Sequence, residues 1–384
     1  MKIVFDARTV RPQRTGVGHY CERLLRALME VDRENEYSVL LADERVWQGW
    51  EAPANFRALP VRADYESHPR GDLWERYSLP ALLAREGADL FHGPAFRVPT
   101  RRVPCPTIVT IHDLTCWRCA ADHPWRFRQY MRWVIRRSCE AASSIIAVSQ
   151  ATADDLREIL RVPAEKIRVV PEAADGRFRP CAAPDREQLE AIHPALTRPY
   201  LLTVGTIEPR KRIEHLIRAF ERVRTLRPDL PHALIIVGKV GWKAGRARRA
   251  MQESPAARSI YHLDYLAEDD LIDIYHGASL FVCASRYEGF GLPPLEAMAC
   301  GIPVVTTAGG ALREVVADAG EVVADADSPN RLAEAIIAVL SDPARQAALR
   351  AAGLRRAAEF SWRRTAEETV ALYDSVAPPV AAGV

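Results

Sequence analysis

Long apolar runs are missing from this chain. Although 48% of its 384 residues are hydrophobic, no stretch approaches the ~20 consecutive apolar residues that a helix needs to span a bilayer. A helical membrane-spanning protein is therefore not expected. Asp6 and Arg8 interrupt what would be the apolar core of a signal peptide, so no secretory leader is expected either. A disulfide framework is also missing: the eight cysteines are scattered without regular spacing, which suits reduced thiols in a cytosol. Cys116-x-x-Cys119 is the one tempting pair. A zinc site would want a second pair or ligand-spaced histidines, and a redox motif would want a thioredoxin-like context. Neither accompanies it. Nor does charge of one sign dominate, since 52 Lys+Arg against 50 Asp+Glu leave a net charge of +2. Nothing in that balance points to nucleic acid or another polyanion. There is no low-complexity tract and no short repeat.

What is present is strand–helix alternation, twice over, in a chain long enough for two domains with separate cores. Lys2 to Phe5, Tyr37 to Leu41, Phe56 to Val61, Leu90-Phe91, Thr107 to Ile111 and Ser144 to Val148 read as strands, and Leu73 to Arg85 as a helix between two of them. After the first strand a loop is expected over Thr15-Gly16-Val17-Gly18-His19-Tyr20, then a helix whose apolar face is Leu24, Leu25, Leu28 and Val31. Gly16 and Gly18 let backbone approach a ligand closely. A dinucleotide fingerprint is not made, because Cys21 stands where the third glycine belongs. The fifth strand ends in His112-Asp113, at the edge where open α/β sheets bind ligands. Over 123–139, Arg126, Arg128, Arg132, Arg136 and Arg137 run with Phe127, Tyr130, Met131, Val134 and Ile135 at helical spacing, with Trp125 and Trp133 at the flank. Such a helix either lies on an anionic membrane surface or packs on a core with a basic outer face.

Proline and polar residues over 179–199 mark a linker. Tyr200 to Val204 and Gly205 open the second half, and Glu208-Pro209-Arg210-Lys211-Arg212 follows at the start of a helix. Cations at a helix N-terminus oppose its dipole unless an anion compensates, so Arg210 and Lys211 point to a diphosphate. Further on, strand Leu280 to Cys283 runs into Glu288-Gly289-Phe290-Gly291-Leu292-Pro293-Pro294-Leu295-Glu296. That is strand, glycine turn and helix N-terminus, a phosphate-holding arrangement. A carboxylate there repels phosphate, so Glu288 and Glu296 are expected to bind sugar and ribose hydroxyls instead. Ala308-Gly309-Gly310 offers further backbone N–H groups.

Taken together, the stretch Arg286 to Pro303, Glu-Pro-Arg-Lys and Gly309-Gly310 resemble the retaining glycosyltransferases of family 4, over nearly the whole chain and most closely in its second half. The resemblance implies the GT-B fold, an α/β class with two Rossmann-like domains facing an interdomain cleft. The domains it implies are an acceptor domain over 1–178, a linker over 179–198, a nucleotide-sugar domain over 199–360, and a helix within 361–384 that crosses back to the first domain. It places His112 against the donor sugar, Arg210 and Lys211 on the phosphates, Glu288 on sugar hydroxyls and Glu296 on the ribose. Gly16, Gly18, Val204, Gly205, Phe290, Gly291, Leu292, Gly309 and Gly310 fall to the donor site, with Tyr265 and Leu266 lining the nucleobase pocket. Many relatives carry arginine where this chain has His19. No metal and no cofactor is implied; a nucleotide-diphospho-sugar is the substrate. The wording of the motifs is similar to that of members using GDP-mannose in bacterial surface polysaccharide assembly, with a UDP-sugar as the alternative donor. A glycan or lipid-linked acceptor follows, and with it contact of helix 123–139 with the inner face of the cytoplasmic membrane. The rival readings are a sugar-nucleotide epimerase of the same fold and a catalytically inactive sugar-nucleotide-binding subunit. The first would need its own acid–base set or a Schiff-base lysine, for which there is no local signature; the second is expected to have lost Arg210, Lys211, Glu288 or His112, and all four are present.

Overall fold

A computed structural model describes residues 1–11, 16–63, 70–181, 184–325 and 327–376. They form two compact units, one of 1–114, 129–172 and the chain from 361 onward, the other of 115–128 and 173–360.

The first unit holds a parallel sheet of β1 (Lys2–Asp6), β2 (Glu36–Leu41), β3 (Phe56–Pro60), β4 (Leu90–Gly93), β5 (Thr107–Ile111), β6 (Ser144–Ala147) and β7 (Ile167–Val169). Its order is β3-β2-β1-β4-β5-β6-β7. A parallel sheet covered on both faces wants continuous apolar strands rather than alternation, and all five residues of β5 are buried. Helix Gly16–Val31 follows β1 and begins where the sequence reading had a loop. Tyr20 and Cys21 are as buried as Leu24, Leu25 and Leu28, so the apolar stripe extends back one turn and takes Gly18 into the helix. Residue 15 of the expected loop lies outside the described residues. The helix read over 73–85 is three pieces: helix Arg70–Leu73, a π-turn Trp74–Ser78 and helix Leu79–Glu86. The extra residue of the π-turn directs Glu75 inward, between Arg8 at 2.9 Å and Arg97 at 2.8 Å. Helix Trp362–Val376 belongs to this unit. Its Thr365 hydroxyl donates to the Pro171 carbonyl at 2.7 Å, and its Tyr373 hydroxyl meets His92 Nδ1 at 2.6 Å. Residues 377–384 of the expected terminal segment lie outside the described residues.

The second unit repeats the plan with β8 (Tyr200–Val204), β9 (Ala233–Val237), β10 (Ile260–Leu263), β11 (Leu280–Cys283), β12 (Val304–Thr307) and β13 (Glu321–Val323), ordered β10-β9-β8-β11-β12-β13 and parallel throughout. Its core packs Ile213, Leu216, Ile217 and Phe220 of helix Ile213–Leu226 against Leu201, Leu234, Ile236 and Val282 of the sheet. The division departs from the expected boundaries in two places. The 179–198 stretch is not a bare linker: Asp185 and Gln188 form a reciprocal capping box that starts helix Arg186–Ile192, satisfying two N–H groups that a helix start leaves unpaired. Residues 115–128 go with the second unit because it holds them firmly. Trp242 lies against His123 and Phe127, Lys243 Nζ donates to the Ala121 and His123 carbonyls at 2.8 and 3.0 Å, and Arg286 pairs with Asp122 at 3.3 Å.

In each sheet the strand order reverses beside one central strand, between β1 and β4 and between β8 and β11. The C-terminal ends of the strands at such a point are where a doubly wound sheet binds its ligands.

Candidate active site

In the second unit three strand ends converge. β8 leads into Gly205, where φ is +145°, a conformation that glycine adopts without strain. A Cβ there would meet Lys211 Cε at 3.1 Å, so Lys211 folds over this glycine. The 3₁₀ turn Pro209–Lys211 follows, closed by the Lys211 N–H on the Glu208 carbonyl at 3.0 Å. β11 leads into Ser285 to Gly291, and the Arg286 N–H donates to the Arg210 carbonyl at 2.9 Å, joining the two loops. β12 leads into Gly309, whose Cβ would lie 2.0 Å from the Arg286 carbonyl oxygen; only glycine lets these backbones come so close. Glu288 is tied on both sides, its N–H to the Gly309 carbonyl at 3.3 Å and its carbonyl to the Ala311 N–H at 2.9 Å, and it bridges to Gly310.

The side chains at this junction form a charge cluster. Arg210 donates through Nε and Nη2 to Glu208 Oε1 at 3.0 and 2.8 Å. Its Nη1 meets the Tyr287 carbonyl at 2.8 Å and one oxygen of Glu288. Lys211 Nζ donates to the other oxygen of Glu288 at 2.7 Å. Burial alone would push the Glu288 carboxyl up; the Arg210 and Lys211 charges outweigh it, and with hydrogen bonds from Lys211 and Ser285 they hold it at about 2. The structure therefore brings Arg210, Lys211 and Glu288 together, paired with protein groups. Glu288, expected on sugar hydroxyls, spans both cations, and the cations expected on phosphate are satisfied by carboxylates. Two oppositely charged groups this close pair directly when both are withdrawn from water.

The glycine turn also differs from the expectation of a donor-rich helix start. Helix Leu292–Ala299 is capped by Gly291, and Pro293 and Pro294 occupy its second and third positions. Two N–H groups usually open at a helix N-terminus are thus missing, so this turn has fewer backbone donors than a helix start ordinarily offers. The positive charge at this junction is carried by the Arg210 and Lys211 side chains. Phe290 is buried edge-on against Phe360, with ring centroids 5.7 Å apart. Glu296, one turn into the helix, accepts from the Tyr275 hydroxyl at 2.8 Å. Val204 and Gly205 line the same edge half-buried. Tyr265 is 40% exposed with Lys239 Nζ 4.6 Å over its ring, and Leu266 beside it is half-buried. An open ring face beside a cation is a platform on which a base can stack.

In the first unit His112 lies just past β5 and is buried. Its Nε2 is 2.8 Å from the Pro94 carbonyl and its Nδ1 is 3.1 Å from Glu172 Oε1. A carbonyl only accepts, so Nε2 is a donor in this pair. Tyr20 packs edge-on against the ring at 4.6 Å. Both ring nitrogens are committed to protein partners, where the sequence reading had the histidine facing a sugar. Gly16 and Gly18 sit in the first turn of the helix that carries Tyr20.

Sequence reasoning missed the two carboxylates that orient the others, Glu172 for His112 and Glu208 for Arg210. The Glu208 signal was in view as the first residue of Glu-Pro-Arg-Lys; nothing local marks Glu172. An Asp-x-Asp spacing at Asp325 and Asp327 was also passed over. Asp327 pairs with Arg212, and its N–H donates to Asp325 Oδ1 at 3.0 Å. Cys116 and Cys119 are both buried. Among the described residues no group of three or more His, Cys, Asp or Glu side chains is placed to hold a metal ion, and no helix is long and apolar enough to cross a membrane.

Comparison with known proteins agrees with this architecture. The family model described as Glycosyltransferase Family 4 matches residues 14–176, and that described as Glycosyl transferases group 1 matches residues 185–356. O-antigen chain mannosyltransferase B of Escherichia coli is 29% identical over 391 residues, covering 97% of this chain and 99% of that protein. An alpha-maltose-1-phosphate synthase of Mycolicibacterium smegmatis is 32% identical over 291 residues, 71% of this chain and 73% of that one. Among solved structures, Anabaena Alr3699/HepE in complex with UDP and glucose matches with a TM-score of 0.74 at 18% identity, covering 98% of this chain and 100% of that one. Two parallel α/β units that match the family models one after the other make this chain a member of glycosyltransferase family 4, a sugar-transferring enzyme of the GT-B fold.

Proposed function

We propose that the protein is a retaining mannosyltransferase that moves mannose from GDP-mannose to a hydroxyl of a glycan or lipid-linked saccharide. The observation that carries the reading is the Arg210–Lys211–Glu288 cluster at the reversal point of the second sheet. Breaking a glycosyl–phosphate bond develops positive charge on the anomeric carbon and negative charge on the departing diphosphate. Arg210 and Lys211 meet that negative charge with preorganised donors in a nearly dry site, and no metal or cofactor is assigned. Retention by double displacement needs a carboxylate aimed at the anomeric carbon. Glu288, with an oxygen on each cation, is not disposed to serve as one. A front-face transfer fits instead: the glycosyl–oxygen bond to phosphate breaks, the bond to the acceptor oxygen forms on the same face, and the acceptor proton passes to the leaving phosphate. For His112, whose ring nitrogens are held by Glu172 and the Pro94 carbonyl, a contact with the donor sugar requires that one of these bonds be given up. Mannose is favoured by the near full-length likeness to an O-antigen mannosyltransferase. The lipid-linked acceptor goes with a cytoplasmic enzyme bound at the inner membrane face through helix Trp125–Ala141, which exposes Trp125 and Trp133 among its arginines.

Thermal shift with GDP, UDP and ADP tests the donor. A ligand at about 100 times its dissociation constant stabilises the fold by about 2.7 kcal/mol, so GDP should raise Tm most. A larger shift with UDP would replace GDP-mannose by a UDP-sugar. Release of free nucleotide only when acceptor is present distinguishes transfer from epimerisation, and the anomeric configuration of the product, read by NMR, decides retention.

A further inference from the structure

We infer that the Glu288 carboxylate is a tethered counter-ion that exchanges with the donor diphosphate, so that seating the phosphates and freeing Glu288 for the sugar are one event. The inference rests on the reading of this cluster as the diphosphate site. As it stands the cluster pairs two cations, Arg210 and Lys211, with two carboxylates, Glu208 and Glu288, and is formally neutral. A dianion approaching a neutral, nearly dry cluster gains little; one that replaces a carboxylate meets uncompensated charge. Opening the cations without a replacement would leave buried charges unpaired, which is expensive, so exchange is favoured over simple opening.

The geometry says which carboxylate leaves. Glu288 places one oxygen on Arg210 Nη1 and the other on Lys211 Nζ, spanning the two as a pair of phosphate oxygens would. Glu208 holds the opposite edge of the guanidinium, through Nε and Nη2, and stands immediately before Pro209. It keeps Arg210 aimed while Glu288 moves. The Glu288 backbone is fixed by Gly309 and Ala311, whereas glycines follow it at 289 and 291, so the side chain swings on a stationary backbone. Bare diphosphate displaces Glu288 without offering it a new partner. A sugar-bearing donor offers hydroxyls, and the exchange therefore favours nucleotide sugar over released nucleotide.

Calorimetric titration with inorganic pyrophosphate, which carries no base, tests this on the full chain. Glu288→Gln should bind pyrophosphate at least tenfold more tightly than wild type while its turnover falls. Glu208→Gln should bind it more weakly, because Arg210 loses its aim. Unchanged or weaker binding by Glu288→Gln overturns the exchange, and so does equal tightening in both variants, which is the signature of charge removal alone. If Glu288→Gln does not fold, Glu288→Asp decides: one methylene shorter, it cannot span both cations and should show the same tightening, and its failure to do so overturns the exchange. Lys211→Ala separates the two levels. If it binds pyrophosphate, GDP and UDP as wild type does, the donor-site reading itself falls; if it loses them while Glu288→Gln gains nothing, only the exchange does.

Discussion

Lys211 is the residue on which most rests, because it reaches Glu288 from a loop fixed by Gly205 beneath it. Removing one preorganised donor from a developing anion costs roughly 3–4 kcal/mol. Lys211→Ala should therefore lower turnover at least a hundredfold while the circular dichroism spectrum stays that of wild type; near-normal turnover in a folded variant would remove Lys211 from the chemistry. Glu288 makes a second prediction, on acid stability. Its folded carboxyl titrates at about 2 against an ordinary 4.5. Its stabilisation is thus complete above about pH 4.5 and is lost as pH falls towards 2. Denaturant midpoints should show wild type and Glu288→Gln drawing together over that window and holding a constant separation above it. A separation unchanged down to pH 2 would mean that the ion pairs contribute nothing to folding. Arg210, Lys211 and Glu288 were legible in the sequence as a constellation, because cations beside a helix start and a carboxylate in a glycine turn are each locally anomalous. Their pairing was not legible, since 77 residues separate Lys211 from Glu288 and only the sheet order brings the two loops together.

At the scale of the element, strands were the most readable feature. Short apolar runs such as Thr107 to Ile111 and Leu280 to Cys283 leave little choice, because a parallel sheet buried on both faces has no polar face to confuse the pattern. Starts and breaks of helices were less readable. The π-turn at Trp74–Ser78 sets Glu75 between the distant charges of Arg8 and Arg97, which no local pattern shows, and the helix start at Gly16 depends on Tyr20 and Cys21 finding the core. Helix Trp125–Ala141 was readable as amphipathic and basic, but not as to which arginines stay on the surface. Arg128 Nη1 donates to the Ala120 carbonyl at 2.9 Å, while Arg126, Arg136 and Arg137 are exposed, with Trp125 and Trp133 63% and 51% exposed. Those three arginines are the ones to change. Each cation near an anionic surface contributes about 1 kcal/mol before screening, so wild type should sediment with anionic vesicles in preference to neutral ones, less so as salt rises. Replacing Arg126, Arg136 and Arg137 with glutamine should abolish the preference without moving Tm, since none lies on the buried side with Val134, Ile135, Ser138 and Cys139. Wild type that ignores the anionic lipid would make the helix ordinary scaffold.

Across the whole molecule, the two units are the same plan written twice, and the chain leaves the first before finishing it. The sheet of that unit is assembled by residue 169, yet helix Trp362–Val376 returns nearly two hundred residues later to complete its core. Composition and periodicity give the helix, but its destination depends on contacts that no local pattern encodes. One of these is chemically specific: His92, fully buried, has Tyr373 hydroxyl on Nδ1 at 2.6 Å and Thr110 hydroxyl on Nε2 at 2.9 Å. Burial, with a small push from nearby His112, lowers the ring to about 3 from an ordinary 6.5, so the folded unit keeps it neutral where the unfolded chain would protonate it. Between those values the unfolded state binds one more proton, so stability must fall as pH falls, at up to about 1.4 kcal/mol per unit. The contribution is whole above pH 6.5 and lost progressively towards pH 3. Tyr373→Phe removes one partner and leaves a buried ring nitrogen unsatisfied, at about 1–3 kcal/mol. It should lower the stability of the chain at pH 7 without changing the dissociation constant for nucleotide, because every group of the charge cluster belongs to the second unit. His92→Gln should lessen the pH dependence between 6.5 and 5, where carboxylates do not yet titrate and His215 and His232, also lowered by burial, supply the rest. If wild type shows no loss of stability across that interval, the buried imidazole is not the group that senses acid; if Tyr373→Phe weakens nucleotide binding, the donor site is not confined to the second unit.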